Sequence, residues 1–228
     1  MGGELEEVSA AVVSCGRCPR LVAWREAAAA APPARFRGET YWARPVPGFG
    51  DPAARLLIVG LAPAANGGNR TGRIFTGDPS GDWLYRALHR AGFANQPVSR
   101  AIDDGLELAG SYITAVVHCA PPDNKPLPEE RDRCLGYLSA ELSALPAVEI
   151  ILALGGFAWD GVLRAVGERG RGRPVFGHGA VARVGAGRYT LLGSYHPSQR
   201  NTSTGLLTEA ALDEIFTTTR RLLGSGAR

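Results

Sequence analysis

The sequence is nearly without lysine. Of its 25 basic residues only Lys125 is one, so the net charge of +3 rests on arginine, whose planar fork matches phosphate oxygens two at a time. Long apolar runs are missing as well: nothing approaches the roughly 18 residues a membrane span needs. The opening "MGGELEEVSA" is acidic where a secretory signal would be basic and then apolar. These absences predict a cytosolic protein. Three catalytic signatures are also absent. The spacing of a Walker loop would place Lys and then Ser or Thr where Arg73 and Ile74 stand. Gly60 is followed by Ala62 and Ala65 rather than by the two further glycines of a dinucleotide fingerprint. "GGFAWDG" comes nearest to a Gly-x-Ser-x-Gly elbow and lacks the serine, which disfavours a small-molecule hydrolase of that kind.

What is present is enough for one sizeable core. At 228 residues and 45% hydrophobic, the chain predicts a single domain over 1–228. Short apolar runs in "RLLIVGLAP", "AGSYITAVVHCAPP", "VEIILALGG" and "RYTLLGSYHPS" read as buried strands. Helical patterns follow each of them: "SGDWLYRALHRAGF", with Ser80 as N-cap candidate, then "LPEERDRCLGYLSAELSAL", "FAWDGVLRAVG" and "TEAALDEIFTTTRRLL". Four strand–helix alternations predict an α/β fold, a three-layer sandwich whose central four-stranded parallel sheet is flanked by helices. Ligands of such folds sit beyond the carboxyl ends of the strands, so the loops after Gly60, Val117, Leu154 and Tyr195 are the informative ones.

Four cysteines stand out in a chain expected to be reduced. Cys15 and Cys18 form C-x2-C in "SCGRCPRL", while Cys119 lies in "HCAPPDNKP" and Cys134 in "RDRCLGYL". Metal ligation is favoured over disulfides there, with buried structural thiols as the bland alternative. Zinc and an iron–sulfur cluster both remain open, the wide second pair suiting the cluster at least as well.

The first strand runs into "GLAPAANGGNRTGRIFTGD". Its small residues let backbone approach a ligand, and amides around Ala62 and Ala64 can read a flat, uncharged polar group. Phe75 and Asp78, three apart at the end of that loop, could stack a base and position a water. Asp82 reads simply as a favourable charge at a helix N-terminus. After the last strand, His196 stands at the sheet edge, followed by Ser198, Gln199, Arg200 and Asn201, a polar-to-basic run suited to phosphates and to filling a gap in a base stack.

Together, from Cys15 to Thr208, these stretches resemble the uracil-DNA glycosylase superfamily, specifically its family 5. The carrying residues are "GLAPAANGGNRTGRIFTGD", the C-x2-C with "HCAPPDNKP" and Cys134, and "HPSQRNTSTGLLT". The resemblance implies excision of uracil and other deaminated bases, such as hypoxanthine, from DNA by a nucleoid-associated monomer. It also implies a structural [4Fe–4S] cluster on Cys15, Cys18, Cys119 and Cys134, linking an N-terminal segment to the fold. In the mechanism expected, a nucleotide is flipped into the pocket. Phe75 stacks on the base, Ala62, Ala64 and Asn124 contact its polar edge, and His196 stabilises the departing base. Asp78 orients the water, with Asp123 as second candidate. Arg70 and Arg73 would meet phosphates, and Gln199, Arg200 and Asn201 would enter the minor groove. Two departures limit transfer from related families. Leu61 and Ala62 stand where those have a water-positioning acid or amide, and Ala115 stands where family 4 has a uracil-reading Asn. The rival reading is a non-catalytic protein that binds nucleic acid through a cysteine-held metal and an Arg-rich face.

Overall fold

The computed structural model describes residues 2–225. Helices α1 (Gly2–Val13) and α2 (Pro19–Ala30) precede the sheet strands β1 (Phe49–Gly50) and β2 (Leu56–Gly60). Then come α3 (Gly68–Thr71), α4 (Pro79–Arg90), β3 (Ser111–Ala115), α5 (Pro128–Ala144), β4 (Ile150–Leu154) and α6 (Gly156–Ala165). The chain closes with β5 (Val181–Val184), β6 (Tyr189–Ser194), α7 (Gln199–Ser203) and α8 (Glu209–Ser225).

The sheet order is β1-β3-β2-β4-β6-β5. The four interior strands pair in parallel, and the two edges pair antiparallel to β3 and β6. The sheet is therefore six-stranded and mixed, which corrects the four-stranded expectation. The edges escaped the sequence pattern for a physical reason. β1 is two residues long, and β5 leaves Val181 exposed, so neither carries the continuous apolar run that burial on both faces imposes on β2, β3, β4 and β6.

Alternation within each strand divides the core in two. Leu56, Ile58, Ile113, Ile150, Leu152 and Leu192 point to one side, where Leu84, Leu88, Leu212 and Phe216 of α4 and α8 cover them. Leu57, Val59, Tyr112, Ile151, Ala153 and Leu191 point to the other, under Leu138 and Leu142 of α5 and Trp159 and Val162 of α6. Helices thus lie on both faces, and α1 packs outside α5. At α4 the cap is Asp78 rather than Ser80: its carboxylate accepts the Gly81 N–H at 3.0 Å, and Pro79 occupies the first turn. Among the described residues, no helix is long and apolar enough to cross a membrane.

One buried acid interrupts the apolar packing. Glu141 of α5 is 1% exposed, and its Oε2 has no hydrogen-bond partner among the described residues. Gly48 approaches so closely that a Cβ there would overlap Tyr112 and Glu141 Oε1. Burial pushes the carboxyl up to about 8 against the opposing pull of Thr114 and the Gly48 backbone. Between about pH 4.5 and 8 the folded chain keeps a proton that the unfolded chain has lost, so this group lowers stability as pH rises through that window. Glu141→Gln should match the wild type below pH 4.5 and exceed it increasingly above, by up to about 1.4 kcal/mol per pH unit. Urea unfolding across pH checks this; a pH-independent difference would refute it.

Candidate active site

The carboxyl ends of β2, β3 and β6 open onto a cleft of about 540 Å³. Leu61, Ala62 and Ala64 form one wall, and Phe75, Asp78, Pro79 and Ser80 enter from the segment leading into α4. Asn124 closes the side beyond β3, while His196, Ser198, Gln199 and Arg200 close the side beyond β6. Four of the five residues expected on the base thus share one cavity with both expected catalytic groups. Asp123 is exposed and does not line it. Asp123 and Asn124 both adopt positive φ, +52° and +56°, a turn their short polar side chains tolerate and one that separates the two directions they face.

Phe75 has φ +53°, a sterically costly state for a bulky residue, on the order of 1–3 kcal/mol. Three contacts hold it. Tyr85 Oη donates to the Ile74 carbonyl at 3.0 Å, Gly81 lies so near that a Cβ would strike the Phe75 carbonyl, and the ring rests on Gly60. A Cβ on Gly60 would come within 2.8 Å of Phe75 Cε2 and Cζ, so only glycine lets the aromatic floor lie over the end of β2. The ring is also 5.7 Å from that of His196, at 34°.

His196 and Asp78 have opposite electrostatic character. The imidazole of His196 makes no hydrogen bond among the described residues, and burial holds it neutral, down at about 4. Burial pushes the Asp78 carboxyl above the ordinary range, partly countered by the N–H groups of Gly81 and Ser80. Its Oδ2 lies directly against Gly67, where a Cβ would overlap it. On the wall, the backbone N–H groups of Ala62 and Ala64 have no partner within the chain among the described residues, which leaves them for a ligand.

The sequence from residue 47 to residue 220 matches the model of the uracil DNA glycosylase superfamily. Over 223 residues it is 52% identical to a type-5 uracil-DNA glycosylase of Mycobacterium tuberculosis, covering 97% of this chain and 83% of that one. A type-5 uracil-DNA glycosylase of Thermus thermophilus is 52% identical over 213 residues, 93% and 95% of the two chains. A type-4 uracil-DNA glycosylase of Pyrobaculum aerophilum is 29% identical over 197 residues, 86% and 83%. This chain belongs to the uracil-DNA glycosylase superfamily. Within it, the type-5 relatives agree with the family 5 resemblance of the motifs.

Two arginines expected on phosphates are committed elsewhere. Arg73 is 3% exposed and bound to Asp104 (2.6 Å), Ser99 Oγ (2.7 Å), Thr76 Oγ1 (3.1 Å) and the Ile102 carbonyl (3.3 Å). Every one of these partners is internal, so the phosphate assignment of Arg73 is withdrawn. Arg70 is 12% exposed, pairs with Glu39, donates to the carbonyls of Asn66 and Gly77, and stacks on Phe36. It ties both ends of the first loop together rather than reaching outward. Beyond β6, Ser198 Oγ caps α7 by accepting the Asn201 N–H, and Asn201 Nδ2 donates to the His196 carbonyl at 2.9 Å. Gln199 and Arg200 alone of that run are exposed at the rim.

The four cysteines line one small cavity of about 20 Å³ and are free of disulfides. Each of three sulfurs receives an N–H: Cys15 from Arg17 Nε (3.4 Å), Cys119 from Arg25 Nη1 (3.3 Å) and Cys134 from the His118 backbone (3.4 Å). Such donors favour thiolates, so the donor set suits a thiolate-bound group. Among the described residues no three His, Cys, Asp or Glu side chains are grouped to hold a metal ion.

Residues not expected among the ligand contacts complete the cleft. Leu61, Pro79 and Ser80 line it, and Gly60, Gly67 and Gly81 make room for Phe75 and Asp78. Gly60 and Gly81 had a readable signal, lying at a predicted strand end and a predicted helix start, whereas Gly67 stands in mid-loop without one. Arg73→Ala should cost about 1–3 kcal/mol by removing the buried hydrogen bonds to Ser99 and Thr76, while Asp104 keeps the N–H groups of Arg100, Ala101 and Leu106. Chemical denaturation measures it, and a cost below about 1 kcal/mol would show that the buried network is dispensable.

Proposed function

We propose that this chain is a uracil-DNA glycosylase that hydrolyses the bond between a deaminated base and deoxyribose. The observation that carries the reading is the convergence of Phe75, Asp78, Asn124 and His196, drawn from three separate loops, on one cleft beside unpaired backbone amides. A base flipped into it lies on Phe75, with Ala62, Ala64 and Asn124 at its polar edge. As the C1′–N bond lengthens, the electron pair passes to the base. The neutral His196 donates a hydrogen bond to the oxygen where that charge collects. Asp78 orients the water that adds to C1′, and the water's proton and hydroxyl complete free base and abasic sugar. Because the sugar becomes oxocarbenium-like, a well-placed water suffices without a strong base.

An alanine wall offers no side chain that rejects a purine, which supports hypoxanthine as a further substrate. Arg200 and Gln199 at the rim would hold the gap in the duplex, with Ser198 and Asn201 shaping the turn that presents them. Cys15, Cys18, Cys119 and Cys134 would carry a structural [4Fe–4S] cluster, which supplies a rigid cross-link when bound. Such a chain would work as a single-domain, cytoplasmic, nucleoid-associated monomer.

Asp78→Asn and His196→Ala should each slow excision from a uracil-containing duplex by about 10²–10³-fold under single-turnover conditions. Wild-type rates in both would overturn the roles, and failure to release any base would overturn the enzyme reading. A deoxyinosine duplex tests the wider specificity. Arg200→Ala should flatten the slope of log affinity against log salt by about one unit, while Arg73→Ala leaves it unchanged. Iron and sulfide analysis of protein purified without oxygen should give four of each per chain, falling on Cys119→Ser; zinc in their place would overturn the cluster.

A further inference from the structure

Between α6 and β5 the segment 174–180 fastens itself to the end of β6 that carries His196. Trp159 Nε1 donates to the Pro174 carbonyl at 2.9 Å, and Phe176 packs between the rings of Trp159 and Tyr195. Gly179 N donates to the Gly193 carbonyl at 2.8 Å, and Gly193 N to the Ala180 carbonyl at 2.9 Å. A Cβ on Gly193 would collide with the Gly177 carbonyl, so the two backbones are in direct contact. His178 sits at the head of this clamp. Its ring stacks on Tyr195 at 4.9 Å and 21°, and its Nδ1 accepts the Tyr195 backbone N–H at 3.1 Å.

That hydrogen bond fixes the tautomer. A backbone N–H can only donate, so Nδ1 is unprotonated and the neutral ring carries its proton on Nε2. The Ala211 backbone on α8 also acts on His178, favouring its protonated form. The backbone around His196 is then held on three sides: Gly155 N on the Ser194 carbonyl (2.8 Å), His178 on Tyr195, and Asn201 Nδ2 on the His196 carbonyl (2.9 Å). The imidazole of His196 itself makes no hydrogen bond among the described residues, so its direction depends on the backbone beneath it and on Phe75.

We infer that His178 is a positioning residue: as a neutral, Nε2-protonated imidazole it holds the Tyr195 N–H and so aims His196 at the departing base. The inference rests on His196 acting on that base. Its charge environment is small, consisting of Glu214 on α8 and the Tyr195 ring, and burial keeps His178 below the usual histidine range against the pull of Ala211 and Glu214. Protonating Nδ1 would set a second donor against the Tyr195 N–H and break the clamp, so acid should slow the chemical step before it unfolds the protein.

The experiment compares wild type, His178→Leu, His178→Asn and His196→Ala by single-turnover excision from a uracil duplex across pH, with KM and kcat and with thermal unfolding. His178→Leu removes the acceptor and should lower kcat by about 10- to 100-fold, with KM within about threefold, because a misplacement near 1 Å is enough for such a loss. In His178→Asn the side-chain oxygen replaces Nδ1, so the rate should recover to within a few fold and the acid limb should move to lower pH. Wild-type kcat in a folded His178→Leu protein overturns the inference. If that variant does not fold, identical acid limbs in wild type and His178→Asn overturn it instead. An unimpaired His196→Ala protein refutes the role of His196 and not the geometry of His178; an impaired one beside a normal His178→Leu refutes the positioning alone.

Discussion

Asp78 accepts the Gly81 N–H in the first turn of α4 with one oxygen and lays the other against Gly67, and most of the site depends on that placement. A carboxylate there is stabilised by the helix N-terminus while being withdrawn from water, two effects that pull its proton affinity in opposite directions. Burial prevails, leaving a group that is a better proton acceptor than a free aspartate. The same turn forces Phe75 into positive φ and brings its ring over Gly60. Cap, aromatic floor and acid are thus one construction, and no part of it can move alone.

The arginines show how the fold uses its cationic side chains. Arg73 and Arg70 bind the first loop from within, and Arg20 grips Glu130 of α5 through two hydrogen bonds of 2.8 and 2.7 Å while reaching the Lys125 carbonyl. That last contact fastens α2 to the turn presenting Asn124. Arg25, buried on α2, donates to Cys119, and its carbonyl accepts Asn69 Nδ2 from α3. Arg20 and Arg25 thus tie α2 to the turn that presents Asn124, to the cysteine-lined corner and to α3.

What crosses the cleft is as selective as what lines it. A neutral histidine, a half-desolvated acid and unpaired amides suit a reaction in which charge appears only as the bond breaks, since none of them is neutralised beforehand by a fixed partner. Strongly paired charges are kept outside, as at Asp160, where Arg131, Arg164 and Arg173 converge on one carboxylate.

The sequence by itself determined the interior strands, the helices that cover them and two side chains, Asp78 and His196, that line the cleft. Continuous apolar runs, turn residues and capping acids are local signals that tertiary contacts did not override. Asp78 and His196 could be named because a strand end or a helix start marked each. The tertiary structure decided what depends on distant partners. It added the edge strands, whose half-exposed residues carry no buried-strand pattern, and it assigned Arg73 to Asp104, 31 residues away, and not to a phosphate. It chose Asn124 over its neighbour by a backbone turn, and it set His178 beneath Tyr195 across the β5–β6 hairpin. A side chain's type can be read in a chain, but its hydrogen-bond partner is fixed only once the backbone that carries that partner has been placed.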